Sequence, residues 1–340
     1  MAEWLCSGLQ LRVHRFDSVL SLHTMKILVT GSSGFIGFHL IKELVNAGHD
    51  VVGVDDHNDY YNPDLKLKRL ALLNPKKFSF YLLDINDISI KDTDFDLAIN
   101  LAAQAGVRVP ENKEHLYEST NIAGFKSFCN FCIEKDISKI VYASSSSVYS
   151  DANKGKFCES ETLLKPKSKY GKSKLSNEMY ASELIKSYDL SMVGLRFFSV
   201  YGPFGRPDMA YYSFTKAIKE NRAVNLNNEG NMYRDMTFID DIIEGIFGAI
   251  DYVLKPENKN KNEIFNLGND APIKTSYLLR KIEKLIGKKA LIQHLMTKNE
   301  SLITHADITK AKNLLGYEPK VSFDQGIERF LDWHKHYENI

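Results

Sequence analysis

The sequence has no apolar run of the roughly 18 residues that a membrane-spanning helix needs. It also lacks an excess of charge of either sign. Its 44 Lys and Arg nearly cancel its 43 Asp and Glu, so there is no broad basic surface for nucleic acid or an anionic membrane. Four cysteines are too few and too irregularly spaced for a disulfide framework, and a reducing cytoplasm is the expected compartment. Cys129 and Cys132 form a C-x-x-C with no second pair or His cluster nearby to complete a zinc site. Beside Phe125, Phe128 and Phe131 they read as two thiols on a half-buried helix, and no metal is expected. The opening segment has no uninterrupted apolar centre, because Arg12, His14, Arg15 and Asp17 break it; a secretory signal is excluded. Met25–Thr30 already reads as a buried strand, so residues 1–24 are taken as an extension without function. No internal repeat is present.

What remains is a chain of 340 residues, enough for one large domain or two modest ones. Apolar runs at Lys26–Thr30, His49–Asp55, Phe78–Leu83, Leu97–Leu101, Lys139–Ser144 and Ser191–Phe197 alternate with helical spacing over Gly37–Ala47, Tyr117–Lys135 and Lys172–Tyr188. Such alternation predicts an α/β fold, a doubly wound parallel sheet of Rossmann type with helices on both faces. Ligands of these sheets sit at the carboxyl ends of the strands. After Tyr201 the rhythm changes, starting with the turn-rich Gly202–Pro207. The predicted organisation is an N-terminal extension (1–24), a dinucleotide-binding domain (25–200) and a smaller substrate lobe (201–340), with part of 236–268 returning to the first domain. Asp307 is expected to cap a helix running to Leu315, with Gly316 ending it.

Gly31-Ser32-Ser33-Gly34-Phe35-Ile36-Gly37 follows the first strand directly and opens a helix. Glycines there let backbone N–H groups approach a pyrophosphate, whose charge the helix N-terminus favours. Asp55 ends the second strand about 20 residues on, where a carboxylate accepts the ribose hydroxyls of NAD and repels the extra phosphate of NADP.

Tyr170 and Lys174 lie four residues apart, on one helical face. A tyrosine with a reference pKa of about 10 is protonated at neutrality. A nearby ammonium and an oxidised nicotinamide would favour the phenolate and so make a general base. Alone, Tyr-x-x-x-Lys is common. Its company is Val141-Tyr142-Ala143-Ser144-Ser145-Ser146-Ser147-Val148-Tyr149, a strand that ends in four hydroxyls at the ligand edge of the sheet.

With these motifs the chain resembles the extended short-chain dehydrogenase/reductases and, among them, the UDP-glucuronate 4-epimerases. The similarity runs from Met25 to the C-terminus. Its specific pieces are Asn58-Asp59-Tyr60-Tyr61, Ala102-Ala103-Gln104-Ala105-Gly106-Val107-Arg108, the serine row, and Leu195 through Ala210. The resemblance implies that Tyr170 is the base, Lys174 its electrostatic partner and Ser145 the hydroxyl-handling residue. It implies NAD contacts at Gly31, Gly34, Phe35, Ile36, Gly37, Asp55, Asp84, Ile85, Leu101, Ala102, Ala103 and Asn121, besides Tyr170 and Lys174. Arg234 falls where a cation meets the sugar-nucleotide diphosphate.

Related dehydratases and decarboxylases place an Asp or Glu beside the hydroxyl residue, because taking a proton from carbon needs a second acid/base. Ser146, Ser147 and Val148 occupy that stretch here, which favours epimerisation. The reaction implied is C4 epimerisation of a UDP-sugar through a transient 4-keto sugar, with NAD retained. For the substrate, Ser145, Ser146, Ser147 and Ser199 supply donors and Arg206 a positive charge, the requirements of a uronate carboxylate. A neutral UDP-hexose or UDP-N-acetylhexosamine is the alternative sugar. A non-catalytic NAD-binding scaffold, which would be expected to lose Tyr170 or Lys174, and a one-way reductase are the other classes.

Four positions depart from the family pattern: Asn100 where His is usual, Ser150 for Gly, and Asn299-Glu300 for Gly-Asp. The helices Tyr117–Lys135 and Lys172–Tyr188 resemble those of a two-fold four-helix interface in this family. A homodimer is therefore expected, with Phe125, Phe128 and Tyr180 serving either a partner or the chain's own core.

Overall fold

The computed structural model describes residues 23–107, 109–149, 155–296 and 301–337. Residues 1–22, most of the expected extension, lie outside them, as do Arg108, Ser150, Asn299 and Glu300.

In chain order the elements begin with β1 (Lys26–Thr30), α1 (Phe35–Asn46), β2 (Asp50–Asp55), α2 (Asp64–Ala71), β3 (Phe78–Leu82) and β4 (Leu97–Asn100). Then follow α3 (Gly124–Glu134), β5 (Lys139–Ser145), α4 (Lys169–Leu184), β6 (Ser191–Phe197) and β7 (Ser199–Tyr201). The rest comprises α5 (Ala210–Lys219), β8 (Ala223–Asn227), β9 (Tyr233–Phe238), α6 (Ile239–Leu254) and β10 (Asn262–Leu267). Last come β11 (Pro272–Lys274), α7 (Thr275–Ile286), β12 (Leu291–Leu295), α8 (Thr309–Leu315) and α9 (Phe323–Tyr337).

Seven strands form one sheet in the order β10-β6-β5-β4-β1-β2-β3, all parallel. The doubly wound Rossmann-type sheet expected from the strand–helix rhythm is present. Its central strands read as unbroken apolar runs because both faces are covered: Ile27, Leu28 and Val29 of β1 are fully buried. The chain leaves β1 toward β2 and β3, then returns on the other side as β4. That reversal opens a crevice at the carboxyl ends of β1 and β4, the ligand position of such sheets. Asn100, buried at the end of β4, ties the two strand ends together. Its side-chain oxygen accepts from the Thr30 hydroxyl at 2.7 Å and from the Ala102 N–H at 3.1 Å.

A second layer gathers over those strand ends. It holds the three-stranded sheet β11-β9-β7 and the two-stranded sheet β12-β8, with α5 and α7 packed on them. Their short strands had no sequence signal. Helix α6 returns to lie against α1, β5 and β6, and β10 adds to the edge of the large sheet.

Local outcomes differ from expectation in instructive ways. The helix predicted over Tyr117–Lys135 divides into a π-helical turn, Tyr117–Ala123, followed by α3. The Tyr117 hydroxyl donates to the Gly106 carbonyl, while Asn121 bonds Gln104 and Ser173, and these ties widen the first turns. Helix α4 starts earlier than Lys172 because the Ser168 hydroxyl caps it, accepting the Gly171 N–H at 2.9 Å. Asp307 does accept the Thr309 N–H at the start of α8, and Gly316 ends that helix at φ 66°. Phe125 and Phe128, offered as possible partner contacts, are buried in the chain's own core, as are Cys129 and Cys132. The thiols therefore sit on a buried face rather than a half-buried one. No helix among the described residues is long and apolar enough to cross a membrane.

Candidate active site

A cleft of about 1400 Å³ runs along the carboxyl ends of the large sheet and under the second layer. Single small-molecule sites are usually about 300–1,000 Å³, so this one has room for two ligands side by side. Gly31, Gly34, Phe35, Ile36, Gly37, Asp55 and Ile85 line one end, with Leu101, Ala102 and Ala103 beside them. Tyr170, Lys174, the serine row, Ser199 and Arg206 are on the wall, and Arg234 belongs to the part built from β8, β9 and α5. Two predicted positions are absent from the wall. Asp84 is exposed and its carboxylate takes the Asn86 N–H at 2.7 Å. Asn121 is buried behind the wall, with its amide between Gln104 and Ser173.

At the first end, Gly31 has φ +70°, and a Cβ there would stand 2.6 Å from the Ala102 nitrogen. Only glycine lets the turn lie this close to β4. Helix α1 has no side-chain cap and no acid in its first turn, and the Ser32 and Ser33 hydroxyls are buried without a partner among the described residues. The uncapped N–H groups of this helix start, which lines the cleft, fit a pyrophosphate. The Asp55 carboxylate is held by the Ser33 N–H at 3.2 Å, the His57 N–H at 2.9 Å and the Lys66 ammonium at 3.3 Å. It thus stays fixed at the tip of β2, suited to ribose hydroxyls. Lys66 went unrecognised because nothing in its local pattern marks a helical lysine as buried.

In the middle, Tyr170 occupies the first turn of α4, whose close approach to the serine row depends on Gly171: a Cβ there would collide with the Ser147 carbonyl. The Ser145 hydroxyl accepts the Ser147 N–H at 3.1 Å. Burial pushes the Tyr170 phenol up, while the Arg206 charge and the Ser145 hydroxyl pull it back. The expected cation was Lys174. Its ammonium instead donates to the Ala143 carbonyl at 2.9 Å and stands 6.0 Å from the Tyr170 ring centroid. Burial lowers Lys174 to about 8, against the raising influence of Glu178. Glu178 lies one turn further along α4, forms a buried pair with Arg196 at 2.7 Å and accepts the Ser144 hydroxyl.

Arg206 is not a bare charge. Asp208 holds its guanidinium through two hydrogen bonds, at 3.0 and 2.6 Å, and the Tyr60 hydroxyl donates to the same carboxylate at 3.0 Å. The Asn58–Tyr61 motif therefore reaches across to the loop before α5. Among the described residues the cleft wall carries four carboxylates, all engaged: Asp55 and Asp56 near Lys66, Glu114 with Lys169, and Asp208 with Arg206. None is left idle as a second acid/base beside Ser145. Arg234 lies on β9, bonded to the Tyr233 carbonyl at 2.9 Å, and Asn225, Asn227 and Thr304 line the wall with it. Among the described residues no group of three or more His, Cys, Asp or Glu could hold a metal ion.

Fold and site together define an NAD-dependent enzyme of the extended short-chain dehydrogenase/reductase class. The chain belongs to the NAD dependent epimerase/dehydratase family, whose model matches residues 27–268. It is 44% identical over 316 residues to an uncharacterized protein of Methanocaldococcus jannaschii, covering 90% of this chain and 95% of that one. To UDP-glucuronate 4-epimerase 4 of Arabidopsis thaliana it is 39% identical, covering 92% of this chain and 75% of the relative. Among solved structures, UDP-glucuronic acid 4-epimerase from Bacillus cereus in complex with UDP-glucuronic acid and NAD superposes with a TM-score of 0.84. That match has 34% identity and covers 92% of this chain and all of the other.

Proposed function

We propose that this nucleotide-sugar epimerase inverts C4 of UDP-glucuronate, giving UDP-galacturonate, with Tyr170 as the proton-handling residue. Gly31–Gly37 and Asp55 would hold NAD, which when bound supplies a reversible hydride acceptor. Tyr170 takes the C4 hydroxyl proton, and the Ser145 hydroxyl favours the phenolate that results. After the sugar presents its other face, the same phenol returns the proton. Lys174 holds its ammonium on the Ala143 carbonyl of the strand, one helical turn from the base. No net oxidant is consumed.

The observation that carries the uronate reading is the wall around Tyr170: Ser145, Ser146, Ser147 and Ser199 with Arg206 on the same cleft. A carboxylate taken out of water requires several donors or a charge-assisted bond, and this wall offers both. That none of the described carboxylates on this wall is idle supports epimerisation over elimination. Comparing kcat/KM for UDP-glucuronate, UDP-glucose and UDP-N-acetylglucosamine tests the reading. A preference of about 100-fold or more for the uronate is expected, since pairing a buried charge discriminates strongly; a preference for a neutral sugar contradicts it.

The assembly we infer is a homodimer through the α4 face. Tyr180 is only partly buried there and Met179 is 64% exposed, while the phenylalanines of α3 point inward. Light scattering at the mass of one chain would oppose this.

A further inference from the structure

Arg69, on α2, is fully buried and makes five hydrogen bonds to three separate segments. One guanidinium nitrogen donates to the Ser33 carbonyl of the phosphate-binding turn at 2.9 Å and to the Tyr61 hydroxyl at 2.6 Å. The other nitrogens donate to the Phe204 carbonyl, at 2.6 and 3.2 Å, and to the Gly205 carbonyl at 3.4 Å. Every acceptor is neutral. His39 of α1 bonds the preceding carbonyl, Pro203, at 2.9 Å. Phe204 sits at φ 56°, a conformation side chains rarely adopt, with its ring 5.1 Å from Phe38 and 4.9 Å from Trp333. Three consecutive residues of this loop are thus fastened to the two helices beside the cofactor turn. The next residues are Arg206 and Asp208, and then the α5 wall of the cleft.

A buried guanidinium surrounded only by neutral acceptors is costly and gains from any nearby anion. Its planar fork also fixes direction, so it can grip the Ser33 and Phe204 carbonyls together only in one arrangement. We propose that Arg69 is a positioning residue that links the two ligand sites. A dinucleotide's diphosphate on the Gly31–Gly37 turn sets Ser33, Arg69 carries that placement to Phe204 and Gly205, and the loop then presents Arg206 and α5 to the sugar nucleotide. The proposal rests on the family's NAD and nucleotide-sugar chemistry, not on which sugar is turned over. Linkage is reciprocal: UDP in its site tightens NAD by the same factor that NAD tightens UDP.

The test titrates NAD into cofactor-stripped protein with and without saturating UDP. In the wild-type chain UDP should lower the NAD Kd by about 5-fold or more, the lower range of typical allosteric coupling. Arg69→Lys keeps the charge but cannot span the three segments, and the ratio should fall to about one. A purely structural role would weaken both ligands and leave the ratio untouched. Should Arg69→Lys not fold, Tyr61→Phe, which removes one acceptor, must lower the ratio. A wild-type ratio of one, or an unchanged ratio in the variant, overturns the proposal. A wild-type chain that binds neither NAD nor UDP would instead contradict the epimerase reading itself.

Discussion

The Lys174 ammonium stands 6.0 Å from the Tyr170 ring centroid and donates to the Ala143 carbonyl, so it does not bond the phenol directly. The cation that pulls Tyr170 toward ionisation is Arg206, which follows in sequence by more than thirty residues. The two cations therefore have separable effects.

Tyr170→Phe removes the proton acceptor and leaves the Gly31–Gly37 turn and Asp55 intact. Turnover should fall by about 10²–10⁴-fold, the usual worth of a positioned acid/base. Bound NAD, read by its absorbance after denaturation, should be unchanged. Near-normal turnover would remove Tyr170 from the chemistry.

Arg206→Leu takes away the charge that opposes burial at Tyr170, so the phenol moves further up. The acid limb of kcat/KM, which reports the free enzyme's base, should then move to higher pH. The preference for UDP-glucuronate over UDP-glucose should shrink in the same variant. A limb that stays in place would mean that Arg206 does not act on the phenol.

Lys174 is lowered to about 8 in the folded chain from an ordinary 10.5. The unfolded chain thus keeps this proton between those values while the folded one loses it, and stability rises with pH across that window. Below it the buried charge costs about 3 kcal/mol, at roughly 1.4 kcal/mol per unit. Lys174→Met should abolish turnover, flatten that rise in urea denaturation, and raise the melting temperature at neutral pH. A lower melting temperature would show the ammonium to be stabilising.

Glu178→Gln leaves Arg196 buried without its counter-charge, a change that costs about 3–5 kcal/mol. It also removes the influence holding Lys174 up, so an NMR titration of Lys174 should give a midpoint below about 8. An unmoved midpoint would separate the Arg196 pair from Lys174.

Much of this was legible before any coordinates. Strands β1, β2, β4, β5 and β6 are largely buried on both faces, so each is a short apolar run with turn residues at its ends, and the glycine turn and Asp55 follow directly from the first two. The second layer was not legible, because β7 and β11 have three residues each and too little pattern to register. Long-range pairs were invisible for a different reason. Tyr60 meets Asp208 and Arg69 meets Phe204 through contacts that no local spacing encodes. Phe125 and Phe128 show the limit of helical periodicity: an apolar stripe is the same whether it faces a partner or the chain's own sheet.

The most direct test uses UDP-glucuronate carrying deuterium at C4, incubated with the holoenzyme in ordinary water and followed by NMR. Hydride removal and return within one closed site predicts UDP-galacturonate with the deuterium still at C4, and no carbon dioxide released. Loss of the label to solvent, or a product lacking the carboxylate, would contradict the account.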